Sequence, residues 1–147
     1  MTSYILDASV AAKWVLPSKD EPLAAEALRL LELYTAGDVG LSAPDLFWPE
    51  IGNILWKSVR LGRISENSAT EAIRWLRALG IPSSSTLPLT GDAFEIALST
   101  HRSVYDSVYV AMAIASSRLF VTADERLVNS LGARFPIRWL GSITLFS

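Results

Sequence analysis

Four acidic residues stand in surroundings that are unusual for a charged side chain, namely Asp7, Glu50, Asp106 and Asp124. Asp7 closes the apolar run 4–6, and Asp124 lies two residues beyond the apolar run 119–122. Glu50 and Asp106 are each the lone acid of an otherwise uncharged, mostly apolar stretch. Proteins rarely place a charge in such surroundings unless it is paired or binds a metal ion.

Carboxylates that share one site repel each other by about 4 kcal/mol per pair at about 4 Å and an effective dielectric constant of about 20. A folded protein keeps such a cluster only when cations relieve the repulsion. Ligands that are all oxygen select hard ions such as Mg²⁺ or Mn²⁺. One or two such ions activate water and stabilise the charge that develops in a displacement at phosphorus. If the acids converge, the sequence therefore predicts phosphodiester hydrolysis.

Each acid taken alone also has a plainer interpretation. Asp7, Asp106 and Asp124 all stand where a helix could begin, and Asp is a preferred helix cap worth about 1 kcal/mol. A single acid on a helix, such as Glu50, is most often directed at solvent. The uncharged sequence around Glu50 and Asp106 is what favours a shared site.

Apolar runs and helical periodicity predict strands that alternate with helices. Strands are expected over residues 4–6, 39–43, 86–89, 119–122, 135–140 and 143–146. Helices are expected over residues 9–16, 20–37, 45–61, 65–80, 90–102, 105–116 and 124–131, with Asp45 and Ser65 as caps. This alternation implies parallel pairing through crossover connections. The predicted fold class is α/β: a three-layer α/β/α sandwich with a short, mainly parallel central sheet.

The predicted fold brings the acids to one edge of the sheet, where strands end, helices begin and ligands bind. From Asp106 the helix runs about 15 Å away at 1.5 Å per residue, and the next strand returns roughly 13 Å at 3.3 Å per residue. Asp106 and Asp124 therefore reach the edge at which Asp7 lies. Glu50 lies within roughly two turns of that edge and points inward if Ile54 does.

The composition is that of one globular domain over residues 1–147, with 50% hydrophobic residues and a net charge of -2. At this length a fold buries roughly 70% of its unfolded surface without needing disulfides. The absence of cysteine excludes thiol catalysis and cysteine zinc sites, and no glycine-rich phosphate loop is present. The small negative charge argues weakly against simple electrostatic binding of nucleic acid, although bound cations would change that balance.

No segment is long enough to span a membrane, because the longest hydrophobic run covers only residues 108–115 and a spanning helix needs roughly 20. Residues 1–7 lack the cationic region of a secretory signal. We therefore expect a cytoplasmic protein.

Several short motifs resemble those of a known family: Asp7 with Ser9, Glu50-x-x-Asn53, Tyr105-Asp106-Ser107-x-Tyr109, and Thr122-Ala123-Asp124. Their order and spacing are similar, over essentially the whole chain, to those of the PIN-domain ribonucleases, specifically the VapC toxins of toxin–antitoxin pairs. The Tyr-Asp helix followed by the Thr-x-Asp turn is the most specific part. Pro49 and Ser107 depart from the usual pattern without removing a ligand.

The resemblance implies an Mg²⁺- or Mn²⁺-dependent endoribonuclease that cleaves RNA. Such proteins are usually homodimers and are held inactive by a cognate antitoxin. The resemblance also implies the catalytic metal ligands and the residues that support them. The implied ligands are Asp7, Glu50, Asp106 and Asp124, with Ser9, Asn53 and Thr122 in support.

Other candidate features carry two interpretations. Lys57 and the arginines up to Arg77 form either an ordinary solvated face or the phosphate-contacting wall of an RNA groove. His101 is expected at the surface near a helix end rather than as a general base. The five tryptophans are expected to anchor the core or a dimer interface rather than to stack on bases.

Two other functions compete with the nuclease. A phosphotransfer domain or phosphatase of similar architecture needs a lysine late in the chain, whereas the lysines here are Lys13, Lys19 and Lys57. Asp7-Ala8-Ser9 also lacks the second aspartate of the phosphatase motif. A non-catalytic PIN-fold binding module, with its acids serving as helix caps, is the other alternative.

Overall fold

Five short strands form one sheet at the centre of the computed structural model, which describes residues 1–143. The strands are β1 Thr2–Leu6, β2 Val39–Pro44, β3 Ser83–Ser84, β4 Leu119–Thr122 and β5 Ile137–Trp139. Their order is β3-β2-β1-β4-β5, and every pairing among them is parallel. The central strand β1 is therefore paired on both sides, which explains why its last residues are uniformly apolar.

Helices cover both faces of this sheet. They are α1 Ala8–Val15, α2 Ala24–Thr35, α3 Phe47–Arg60, α4 Glu66–Ala78, α5 Thr90–Thr100, α6 Val104–Ser116 and α7 Glu125–Leu131. Tyr4 and Leu6 of β1 pack in a core formed with α1 to α4, whereas Ile5 packs in a second core formed with α5 to α7. The alternation of side chains along a strand thus separates the two cores, and the predicted three-layer α/β/α sandwich is confirmed.

Helix α6 is buried along residues 107–113, a segment of mostly apolar side chains. Its first turn lies at the carboxyl-terminal edge of the sheet and carries Asp106. Ser103 caps this helix by accepting a hydrogen bond from the backbone N–H of Asp106 at 3.1 Å. A helix that is buried along its middle residues therefore fixes the position of one of the candidate acids.

The edge strand predicted over residues 86–89 is wrong. The edge strand is Ser83–Ser84, and Leu87–Leu89 forms a 3-10 turn instead. Pro88 lacks a backbone donor, which suits a turn better than a ladder. The strand predicted over residues 135–140 is shorter, Ile137–Trp139, and passes into a 3-10 turn at Leu140–Ser142.

Two predicted helix starts also differ. Helix α2 begins at Ala24 rather than near Pro22, because Leu23 adopts a left-handed conformation with φ of 60°. Asp45 does not cap α3; its Oδ1 accepts a hydrogen bond from the backbone N–H of Thr86 at 3.2 Å and ties the start of α3 to the edge turn. Ser65 caps α4 as predicted.

The last predicted strand, over residues 143–146, lies outside the described residues apart from its first position. No helix within residues 1–143 has both the length and the apolar character that crossing a membrane requires.

Candidate active site

Asp7 follows β1 directly and is held by two hydroxyl groups. It occupies the cap position of α1, yet its side chain makes no capping bond. Instead its Oδ2 accepts hydrogen bonds from Ser9 Oγ at 2.9 Å and from the buried Thr122 Oγ1 at 2.6 Å. Thr122 ends the neighbouring strand β4, so the sheet itself aims this carboxylate. The plain capping interpretation of Asp7 is therefore wrong.

The environment of Asp7 disfavours its charged form. Burial raises the pKa of Asp7, while the hydrogen bonds from Thr122 and Ser9 lower it, and the carboxylate of Asp106 raises it further. The net direction is upward from the ordinary value. The ionised carboxylate is thus less stable here than in water.

Glu50 lies in the first turn of α3 and is reached by a tyrosine from the opposite core. Tyr109 Oη donates a hydrogen bond to Glu50 Oε1 at 2.5 Å. The tyrosine ring is buried and stacks on Phe120 at 5.0 Å between ring centroids. Pro49 does not disturb this arrangement, because the first turn of a helix has no use for the missing N–H.

The pKa of Glu50 is raised above its ordinary value, as is the pKa of Asp7. Burial raises the pKa of Glu50, the hydrogen bond from Tyr109 lowers it, and the charges of Asp7 and Asp106 raise it. Burial likewise raises the pKa of Tyr109, so its hydroxyl stays protonated and remains a donor. The tyrosine fixes the carboxylate in place without removing its charge.

Asp106 and Asp124 differ in whether the carboxylate caps its own helix. Because Ser103 caps α6, the carboxylate of Asp106 is not needed for that purpose. Burial raises the pKa of Asp106, nearby Asp124 raises it further, and Arg102 lowers it. Asp124 is exposed and does cap α7, accepting from the backbone N–H of Leu127 at 3.1 Å. Only one of its carboxylate oxygens is used in that cap.

The supporting residues are placed unequally. Ser9 and Thr122 contact Asp7 directly, and Ser9 Oγ also accepts a weak hydrogen bond from the backbone N–H of Ala123 at 3.3 Å. Asn53 is exposed on α3, and its side chain makes no hydrogen bond within residues 1–143. His101 is exposed at the end of α5, as expected.

Sequence reasoning did not assign a role to Tyr109. The signal was its spacing: Tyr109 lies three residues after Asp106, so both side chains project from nearly the same face of α6. Arg102 was also not recognised as the cation that acts on Asp106. The contact between Tyr109 and Glu50 depends on which helices meet at this edge, whereas Arg102 lies only four residues before Asp106 in the sequence.

The four acids are neighbours but are not arranged as finished metal ligands. Within the described part of the chain, no group of three or more Asp, Glu or His side chains is close enough to hold a metal ion as placed. The donors nevertheless suit a hard divalent cation, because they are all carboxylate oxygens. Burial, together with the charge of a neighbouring acid, raises the pKa values of Asp7, Glu50 and Asp106. Their chemical character fits the ion, and the four-residue ligand set stays a prediction.

Comparisons with known proteins agree with this fold. Ribonuclease VapC3 of Pyrobaculum aerophilum is 30% identical over 132 residues, which cover 88% of this chain and 95% of that protein. A crystal structure of a protein from Pyrobaculum aerophilum has a TM-score of 0.69 at 24% identity, covering 95% of this chain and 85% of the other. The crystal structure of VapBC2 from Rickettsia felis, bound to a DNA fragment from their promoter, has a TM-score of 0.68 at 12% identity, covering 94% and 98%. The sequence profile of the PIN domain matches residues 4–130. The chain therefore belongs to the PIN domain family.

Proposed function

We propose that this protein is a divalent-metal-dependent endoribonuclease and the toxin of a toxin–antitoxin pair. One observation carries the proposal: Asp7, Glu50 and Asp106 come from three distant chain segments, yet the charge of a neighbouring acid adds to burial in raising the pKa of each. Repulsion between carboxylates lowers the stability of the fold, so their proximity indicates a functional role. The similarity to ribonuclease VapC3 supports RNA as the substrate.

The four acids would all bind the metal ion, and they differ in how firmly hydrogen bonds hold them. Asp7, fixed by Ser9 and Thr122, and Glu50, fixed by Tyr109, are the rigid donors. Asp106 and the exposed Asp124 would complete the ligand set from the other side of the cleft. When bound, Mg²⁺ or Mn²⁺ lowers the pKa of water and neutralises the charge that develops on phosphate oxygens.

We also propose that the protein works with partners of its own kind and with an antitoxin. The neighbouring structure from Rickettsia felis is named as a VapBC complex, which supports an antitoxin for this chain. Trp56 and Trp75 are 54% and 41% exposed, respectively, on α3 and α4. Exposed aromatic side chains are typical of interfaces, which supports an assembly with another protein or a second copy. A cytoplasmic location follows from an RNA substrate.

The proposed activity predicts metal-dependent cleavage of RNA that requires Asp106. Purified protein, freed of any partner, should cleave structured RNA in Mg²⁺ or Mn²⁺ and leave it intact in EDTA. Asp106→Asn should abolish cleavage, because the change removes a charged ligand while keeping the shape of the side chain. The cut RNA is measured by gel electrophoresis of end-labelled substrate.

Asp92→Asn is the matched control, since Asp92 lies exposed in the first turn of α5, as Asp106 lies in the first turn of α6. That variant should cleave like the wild type. A folded wild-type protein that cleaves no RNA with either ion would overturn the nuclease proposal and favour the non-catalytic binding module.

Tyr109→Phe should lower kcat by about 10- to 100-fold, the usual effect of removing a hydrogen bond that orients a metal ligand. The ring and its stacking on Phe120 are kept, so only the bond to Glu50 is lost. Tyr105→Phe is the control, because Tyr105 is 63% exposed on the same helix and its hydroxyl makes no hydrogen bond within residues 1–143. Equal activity of both variants would show that Glu50 needs no such support.

The metal-free protein should become more stable as the pH falls from about 8 to about 5. The pKa values of Asp7, Glu50 and Asp106 are raised, so the folded state binds more protons than the unfolded state in this window. The free energy of unfolding therefore declines as the pH rises. This contribution to stability is fully present below the ordinary carboxyl pKa values of about 4, which apply to the unfolded chain. It is fully lost above the raised pKa values of the folded state. Melting temperature in EDTA, recorded against pH, measures the effect.

Asp7→Asn should raise the metal-free melting temperature at about pH 8, by roughly 4 °C for each kcal/mol of repulsion removed. The same change should flatten the pH dependence. Asp38→Asn, in an exposed turn, should do neither. A wild-type protein that steadily loses stability between about pH 8 and about pH 5 would contradict the account of crowded acids.

A further inference from the structure

A groove of about 430 Å³ runs from the acidic site between α1 and α3. Asp124 and Ser9 line its end at the site, and Lys13, Ile54, Lys57 and Arg63 are among the residues that line the rest. The groove is thus continuous with the catalytic cleft and leads away from it. Two of its cations, Lys57 and Arg63, come from the basic segment whose role the sequence left undecided.

The structure separates the basic residues of that segment into two groups. Lys57 and Arg63 line the groove, and neither forms a salt bridge within residues 1–143. Arg74 instead pairs with Glu71 at 2.6 Å on the exposed face of α4, and Arg60 lies over the Trp56 ring at 4.8 Å. Only the first group is available to an anion in the groove.

The remaining lysine of the groove is already neutralised. Lys13 Nζ lies 3.3 Å from Glu21 Oε1, and both side chains are largely buried. This pair forms part of the groove wall and contributes little net charge. Lys57 and Arg63 therefore give the groove a positive end, opposite the negative end at Asp124.

Helix geometry sets the distance along α3 from Glu50, in the acidic site, to Lys57. Lys57 lies seven residues after Glu50 on α3, which is about two turns or roughly 10 Å along the same side of the helix. Each strand of a double helix carries a phosphate about every 3.4 Å of the helix axis, and an extended single strand spaces its phosphates more widely. The separation therefore corresponds to at most about three nucleotides.

We propose that Lys57 and Arg63 hold the phosphates of an RNA strand a few nucleotides away from the phosphate that is cleaved. This proposal rests on the ribonuclease function proposed above. The groove offers cations to the flanking phosphates, whereas the acidic end takes the reacting phosphate only with its metal ions. The two residues contribute to substrate binding and not to the chemical step.

Salt dependence of RNA binding tests this placement. The probe is a fluorescently labelled single-stranded RNA, titrated in EDTA so that no cleavage occurs, with binding measured by fluorescence anisotropy. Between about 50 and 200 mM salt, the wild type should lose about seven-fold more affinity than the double variant K57Q/R63Q, because each phosphate contact on single strands contributes about 0.7 to the slope. The double variant R74Q/R77Q has the same net charge and should keep the wild-type slope.

Cleavage kinetics provide the second measurement. K57Q/R63Q should raise KM and leave kcat unchanged, as expected when binding remote from the reacting atoms is lost. All four replaced side chains are exposed, and equal melting temperatures will show that the variants fold. Identical salt slopes for the two double variants, or no RNA binding by the wild type, would overturn the groove proposal. Failure of the wild type to cleave would instead overturn the nuclease proposal. The two failures can be told apart because binding is measured in EDTA, independently of cleavage.

Discussion

Repulsion among carboxylates at one edge of the sheet is the constraint on which this structure depends. Asp7, Glu50 and Asp106 come from separate segments, and burial, together with the charge of at least one neighbouring acid, raises the pKa of each. Hydrogen bonds from Thr122 and Ser9 hold Asp7 in place, and one from Tyr109 holds Glu50. Such an arrangement costs stability, and the proposed divalent cation would relieve that cost.

The rigid parts of the fold lie directly behind these acids. The bond from Thr122 to Asp7 joins the ends of two paired strands, so the central sheet fixes the first carboxylate. Tyr109 extends from the buried helix α6 to Glu50 on the other side of the sheet edge. The central sheet and helix α6 therefore each supply one of the contacts that orient the site.

The strand that ends at Asp7 and the helices that carry Glu50 and Asp106 were predictable, because apolar runs and helical periodicity are strong local signals. The edge strand was not, since two serines pair with β2 only because of their tertiary position. Asp45 was misassigned for a similar reason: a backbone donor 41 residues away takes its carboxylate. The role of Tyr109 and the division of the basic residues also depend on which helices meet. No local pattern contains that information.

The central claim is that a divalent cation relieves the strain of the crowded acids. The most direct measurement is the melting temperature of the wild-type protein in EDTA and in increasing Mn²⁺, at neutral pH. The account predicts stabilisation by about 2.7 kcal/mol at 100 times the dissociation constant, and a much smaller gain for the variant Asp106→Asn. A wild-type melting temperature that does not respond to Mn²⁺ would contradict it and would leave Asp124 as a helix cap and Asp7 and Glu50 as structural hydrogen-bond acceptors.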